Sequence, residues 1–379
     1  MKILKGKYVE AKIFADIIDE KTISQIQTLI DQEFMKDSKV AIMPDCHAGK
    51  GCVIGTTMTI KDKIVPNLVG VDIGCGMLLV KLGKINIDFP NLDEFIKDNI
   101  PYGLNVNENI IVPPSIKFED LKCYDSLKRL TYLTKSNGSL GNGNHFIEID
   151  IDDENNKYLI IHSGSRNLGK QVAEIYQEKA IKYHQDKVFN VTKEKERIIH
   201  TYKAIGQEKD IQKDLEKLKK MDVKINIPHE LCYLEGDDFE DYMHDMNLCQ
   251  IFASDNRKEM ARRILKFLNL NINDCYHFET IHNYINMEDK ILRKGAISAY
   301  KDEIVLIPIN MRDGCIIAKG KSNPEYNYSA PHGAGRIMSR NEAFKKLDIK
   351  DYKKEMEGIY SSTVNRLTLD ESPFCYKDI

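Results

Sequence analysis

Tryptophan is absent from the 379 residues, and so is any apolar run long enough to cross a bilayer. The opening segment MKILKGKYVEAKIFADIID lacks the continuous apolar stretch of a secretory signal, so no cleaved leader and no membrane association are expected. An excess of one charge is missing too. The 55 Lys and Arg stand against 58 Asp and Glu, for a net charge of −3 and a pI near 6.4. That balance excludes a general attraction to polyanions or anionic membranes, so a nucleic-acid partner would need a local basic patch. No Pro/Ser-rich linker and no internal repeat divides the chain. The nine cysteines are an odd number and are scattered through the sequence. Without a secretion signal they point to reduced thiols in a cytoplasmic protein, and to metal binding or catalysis rather than a disulfide framework.

What is present falls into three compositional stretches. Residues 1–165 are rich in Gly, Val and Ile, and VAIMPDCHAGKGCVIGTTMTI and IVPNLVGVDIGCGMLLVKL read as strands joined by tight glycine turns. Residues 167–268 carry helical periodicity and dense mixed charge, much of it suited to a solvated helix face. Residues 290–340 return to strands (AISAYKDEIVLIPI, GCIIAKG), followed by a helical candidate, MSRNEAFKKL. The expected fold class is α+β: a single domain over 1–379 with a β-rich core and a helical insertion at about 167–268.

Within VGVDIGCGM (69–77), Asp72 lies three residues before Cys75, among three glycines. Such a turn can aim a carboxylate and a thiolate at one point. Together with imidazoles these make a first-row transition-metal site, with thiolate favouring Zn²⁺ and carboxylate and imidazole also suiting Mn²⁺ or Fe²⁺. His145 in GNGNHFIEI, His162 in IIHSGSRNLG and His332 in APHGAGRIMSR lie beside glycines whose amides can approach an anion. His282 in ETIHNYINME sits in a polar turn region. By spacing alone the alternatives stay open: each histidine also fits a hydrogen-bonded structural role, Asp72 a turn cap, and Cys75 a small apolar packing residue.

Taken in order, PDCHAGKGCVIG (44–55), VGVDIGCGM (69–77), GNGNHFIEI (141–149), HSGSRNLG (162–169) and PHGAGRIMSR (331–340) resemble the motifs of the RtcB RNA ligase family. The resemblance runs from about residue 40 to the C-terminus. It implies an α+β fold with the active site in a cleft of the β-rich core. It also implies a GTP- and Mn²⁺-dependent ligase that joins RNA 3′-phosphate or 2′,3′-cyclic phosphate ends to 5′-hydroxyl ends, in RNA repair or tRNA splicing. By that resemblance Asp72, Cys75, His145, His162 and His282 are metal ligands, with Cys75 bridging two Mn²⁺ ions. His332 is the histidine that accepts GMP, and Asp45 is the carboxylate that orients it. Asn144 contacts the nucleotide phosphate, Phe146, Glu148 and Tyr376 contact the guanine, and Arg166 holds RNA phosphate.

Lys170, Arg336 and Arg340 are further candidates for RNA grip, whereas KEKER and KLKK read better as solvated helix faces. A thiolate with three imidazoles favours Zn²⁺ over Mn²⁺, so Zn²⁺ is expected to bind and to inhibit. Family members continue past the DESPFCYK position to a lysine that reads the guanine, and that lysine is not found before Ile379. The NMRDG segment and Pro331 resemble a shorter, repair-associated branch, which implies a functional link to a release-factor-like protein. A different reading keeps the metal but not the nucleotide: a phosphohydrolase or cyclic phosphodiesterase acting on RNA ends. His332 with its own acid argues against that, since a hydrolase needs no such nucleophile.

Overall fold

The computed structural model describes residues 1–219 and 223–377. The KLKK run ends at Lys220, outside the described residues, as do Asp378 and Ile379 of the expected domain. The fold is α+β. One sheet has six strands, in the order Lys2–Lys5, Glu10–Ile13, Val40–His47, Ile54–Thr59, Ile291–Lys294 and Asn283–Ile285. A second has four antiparallel strands, in the order His277–Ile281, Gly76–Gly83, Lys157–Ser163 and Phe146–Ile151.

The strand Gly76–Gly83 (GMLLVKLG) is apolar on both faces because both are covered. Met77 and Leu79 pack with Ile160 and Leu306 on one side. Leu78, Val80 and Leu82 meet Leu159, Ile161, Met260 and Ile264 on the other. The upstream IVPNLV run does not continue as strand. Pro66 has no N–H to give a ladder and a φ suited to a first helical turn, so Pro66–Val69 is a short helix.

The helical stretch is not uniform. Arg166–Val188 and the 31-residue helix Asp237–Phe267 enter the core, burying Leu168, Val172 and Tyr176 from the first and Cys249, Phe252, Met260 and Ile264 from the second. The acidic first turn of the longer helix (Asp237, Asp238, Glu240) matches the positive end of its dipole. By contrast, Val191–Ala204 and Ile211–Lys219 add nothing to the core clusters among the described residues.

His282 marks the seam between the two sheets. It is the only residue between His277–Ile281 of the four-stranded sheet and Asn283–Ile285 of the six-stranded one. Its amide donates to Cys75 O (2.9 Å) and its carbonyl accepts from Gly295 N (2.6 Å), so both sheets hold its backbone.

Candidate active site and metal centre

Five side chains meet at that seam. Cys75 is delivered by the turn that opens the strand Gly76–Gly83, and its register fixes the rest: Met77 pairs with His162, and His162 pairs with Phe146, the neighbour of His145. Cys75 Sγ is 3.3 Å from His162 Nε2 and 3.5 Å from His145 Nε2. His162 Nε2 is 3.3 Å from His282 Nε2, and His145 Nε2 is 3.0 Å from Asp72 Oδ2. Two donor sets result, Cys75 with His162 and His282, and Cys75 with Asp72 and His145, sharing the one sulfur.

The outer nitrogens decide which face of each ring looks inward. His145 Nδ1 donates to Leu140 O (2.9 Å) and His162 Nδ1 to Asn144 O (3.0 Å). Both Nε2 atoms therefore face inward, towards the Cys75 sulfur and, from His145, the Asp72 carboxylate. Two imidazole nitrogens, a sulfur and a carboxylate crowded this closely fit a bound cation, and these atom types suit a first-row divalent metal. Burial pushes His162 and His282 well below the usual histidine range, so both are neutral imidazoles. Burial and the Asp72 carboxylate push the Cys75 thiol well above its usual range, which makes a thiolate there dependent on positive charge nearby. For Asp72 burial acts upward, but the hydrogen bond and charge of His145 outweigh it and hold the carboxyl low. A side chain at Gly164 would lie 2.1 Å from Asp72 Oδ1, so only glycine lets the carboxylate occupy this space.

Next to this cluster stands His332. Its ring centroid is 4.9 Å from that of His282, and its Nδ1 donates to Asp45 Oδ2 at 2.7 Å. Its backbone N–H donates to the same oxygen at 3.2 Å. Asp45, near the end of Val40–His47, is 1% exposed, and its Oδ1 has no partner among the described residues. The pair fixes the tautomer of His332 and leaves Nε2 with a free lone pair.

The remaining predicted residues divide. Phe146 packs its ring edge-on against His162 at 5.3 Å. The Asn144 side chain is exposed, free to meet a ligand, while its carbonyl orients His162. Glu148, further along the same strand, belongs to a third group with Asp150 and Cys315, whose Sγ lies 3.3 Å from Glu148 Oε1. Burial and the neighbouring Asp150 raise the Glu148 carboxyl to about 8, and burial raises Asp150 to about 6. Tyr376 pairs by an isolated bridge with Arg336 in the His332 loop, and its hydroxyl is held by Glu371 and Arg336.

Arg166 is turned inward: Nε donates to Ser139 Oγ and Nη2 to Gly103 O, both at 3.1 Å. Arg336 and Arg340, the other arginines named for RNA grip, also have partners within the protein. Arg336 is engaged by Asp370 O, Tyr376 and Met338 O, and Arg340 by Asp370 and Glu371. Lys170 keeps its exposure, with Glu174 only at 3.9 Å.

Several residues that shape the site carried no signal in the sequence. Arg257, fully buried, donates to Gly74 O (2.9 Å) and Ser163 O (2.8 Å), bracing the turns on either side of the metal cluster. Asn256 accepts from Gly138 N and Ser139 N and donates to Ser163 Oγ and Gly164 O. Asn283 donates to Asp72 O and accepts from Gly295 N. Lys377 Nζ reaches Pro44 O at 2.8 Å, beside Asp45. In SDNRKEMARR, Asn256 and Arg257 look like one more solvated helix turn; only the i, i+3, i+4 spacing to buried Ala253, Met260 and Ala261 hinted otherwise.

The family described as "tRNA-splicing ligase RtcB" matches residues 25–121 and 123–379. The RNA-splicing ligase RtcB of Escherichia coli K12 is 31% identical over 376 residues, covering 90% of this chain and 84% of its own length. The tRNA-splicing ligase RtcB of Aeropyrum pernix is 25% identical over 473 residues, covering 100% and 90%. That of Nanoarchaeum equitans is 24% identical over 463 residues, covering 98% and 89%. With the match spanning nearly the whole chain, this protein belongs to the RtcB family of RNA ligases.

Proposed function

We propose that this chain joins RNA 3′-phosphate or 2′,3′-cyclic phosphate ends to 5′-hydroxyl ends, using GTP, through GMP carried on His332. The observation that carries the reading is the His332–Asp45 pair at 2.7 Å, set beside a five-residue metal-type cluster. A buried carboxylate on Nδ1 of an imidazole whose Nε2 is free makes a nucleophile.

His332 Nε2 attacks the α-phosphorus of GTP, forming a P–N bond as the bond to pyrophosphate breaks. The positive charge that develops on the ring is stabilised by Asp45 through Nδ1–H. A 3′-phosphate oxygen then displaces His332 from phosphorus, which restores the neutral ring and leaves the RNA end activated by GMP. The 5′-hydroxyl oxygen attacks the 3′-phosphorus, its proton is lost, and GMP departs. A cyclic phosphate end is hydrolysed first, by water.

Asp72, Cys75, His145, His162 and His282 would hold two Mn²⁺ ions, with Cys75 as the shared ligand. When bound, the metal supplies positive charge to the triphosphate and polarises the reacting phosphorus. In this reading Asn144 contacts phosphate, and Phe146 and Glu148 contact the guanine. The nine free cysteines support a reducing, cytoplasmic setting. Among the described residues no helix is long and apolar enough to cross a membrane.

Mass spectrometry of the intact protein after incubation with GTP and MnCl₂ tests the first step. A GMP adduct is expected, absent from His332→Ala. Phosphate release from RNA ends with no adduct, metal being bound, would support the hydrolase and sink this reading.

A further inference from the structure

Beside the metal centre the protein holds apolar side chains out in solvent. The turn Tyr102–Asn105, closed by Asn105 N on Tyr102 O (3.2 Å), carries Tyr102 at 60% exposure and Leu104 at 77%. A loop tip left to water is usually polar and loosely held. This one is neither. Leu140 N donates to Pro101 O (2.8 Å) and Gly103 N to Gly141 O (2.9 Å). Arg166 Nη2 donates to Gly103 O (3.1 Å), and the Tyr132 hydroxyl donates to Leu104 O (2.9 Å).

The segment that clips the turn is the one that delivers His145. A side chain at Gly141, which sits at φ +100°, would come within 1.8 Å of Arg166 Nη1 and 2.7 Å of His145 Nδ1. Turn, arginine and metal-type ligand are therefore packed into one unit. Cations stand near the turn. The Arg129 guanidinium lies 4.3 Å from the centre of the Tyr132 ring, whose hydroxyl holds Leu104 O, and Lys128 is exposed beside it.

We propose that the Tyr102–Asn105 turn is a stacking platform for an unpaired base next to the RNA end, with Tyr102 as the ring and Leu104 as its apolar flank. The proposal rests on the ligase reading above. Single-stranded RNA is the occupant that fits: rings and cations interleaved next to the reacting centre are how sequence-tolerant binding of a strand is built. One turn is too small for a protein interface, which needs about 800 Å² per partner.

The test is fluorescence anisotropy with a labelled single-stranded RNA carrying a 3′-phosphate, in MnCl₂ and without GTP. Tyr102→Ala is expected to weaken binding roughly fivefold to a hundredfold, the range for losing one base–aromatic stack. Tyr102→Phe keeps the ring and is expected to retain affinity. Melting temperature and bound metal serve as controls that Tyr102→Ala is folded. The slope of affinity against salt is expected to stay unchanged, because no phosphate contact is lost. Wild-type affinity in a folded Tyr102→Ala overturns the platform, and the turn would then serve another partner. The two readings fail separately: a wild-type protein that forms no GMP adduct loses the ligase reading, while a Tyr102→Ala that still loses RNA keeps the platform.

Discussion

Cys75 gives one sulfur to two donor sets, with Asp72 and His145 on one side and His162 and His282 on the other. Removing it is therefore different from removing any other ligand. Cys75→Ala is expected to lower bound metal at both positions, and His282→Ala at one, when metal content is measured after desalting; equal losses in the two variants would exclude the shared sulfur. Glu148 makes a separate argument at the same scale. Its carboxyl is raised from 4.5 to about 8 by burial and by Asp150. A raised carboxyl leaves stability intact below the unfolded pKa and removes it as pH rises through the folded one. The loss is thus expected between about 4.5 and 8, at no more than about 1.4 kcal/mol per pH unit. Glu148→Gln cannot ionise. Its melting temperature relative to wild type is expected to rise from pH 5 to pH 8.5, and a flat difference across that range would show the carboxyl is not buried in this way.

At the scale of elements, the helix Asp237–Phe267 shows what charge patterning conceals. Its sequence alternates acids and bases densely enough to read as a solvated face, yet 15 of its 31 residues are buried. Arg257 is among them. Its guanidinium spans from Glu279 to Gly74 O and Ser163 O, tying the helix to the strand ends that carry Cys75 and His162. Arg257→Met keeps much of the side-chain volume but takes a charged donor from two carbonyls and from the Glu279 carboxylate, which keeps only Ser254 and Lys258. A destabilisation of about 3–5 kcal/mol is expected by urea unfolding, the range for breaking a buried charged network. An effect below about 1 kcal/mol, the surface level, would mean water replaces the guanidinium. The residues that meet at the seam, and the His332–Asp45 pair beside them, were marked by short, local glycine-rich motifs, and the roles expected of them came from the family resemblance rather than from spacing. Arg257, Asn256 and Asn283 were not, because what they do depends on partners up to 211 residues away. The partners of Arg336 and Arg340 were hidden in the same way, since the Asp370 carbonyl, the Asp370 carboxylate and Glu371 that meet them lie some 30 residues on.

For the whole molecule, the α+β class and the strand runs other than IVPNLV followed from apolar patterning. The meeting of the two sheets at His282 did not, since register across 120 residues is set by packing rather than by local pattern. That seam makes folding and metal binding one problem. The metal-type residues at 72, 75, 145 and 162 come from the four-stranded sheet and its turns and 282 from the seam, so an ion bound there would cross-link segments that the unfolded chain holds far apart. Any ion that binds the native state alone stabilises it by about 2.7 kcal/mol at a hundredfold excess over its dissociation constant. Affinity at a site of thiolate and imidazole rises from Mn²⁺ to Zn²⁺, while the chemistry proposed here uses Mn²⁺. Stability and activity are then expected to part company. Adding EDTA lowers the melting temperature, Mn²⁺ restores it, and Zn²⁺ raises it further while suppressing the GMP adduct. If Zn²⁺ instead stabilises the protein less than Mn²⁺ does, the carboxylate and a distorted geometry, not the sulfur, govern which ion the seam prefers.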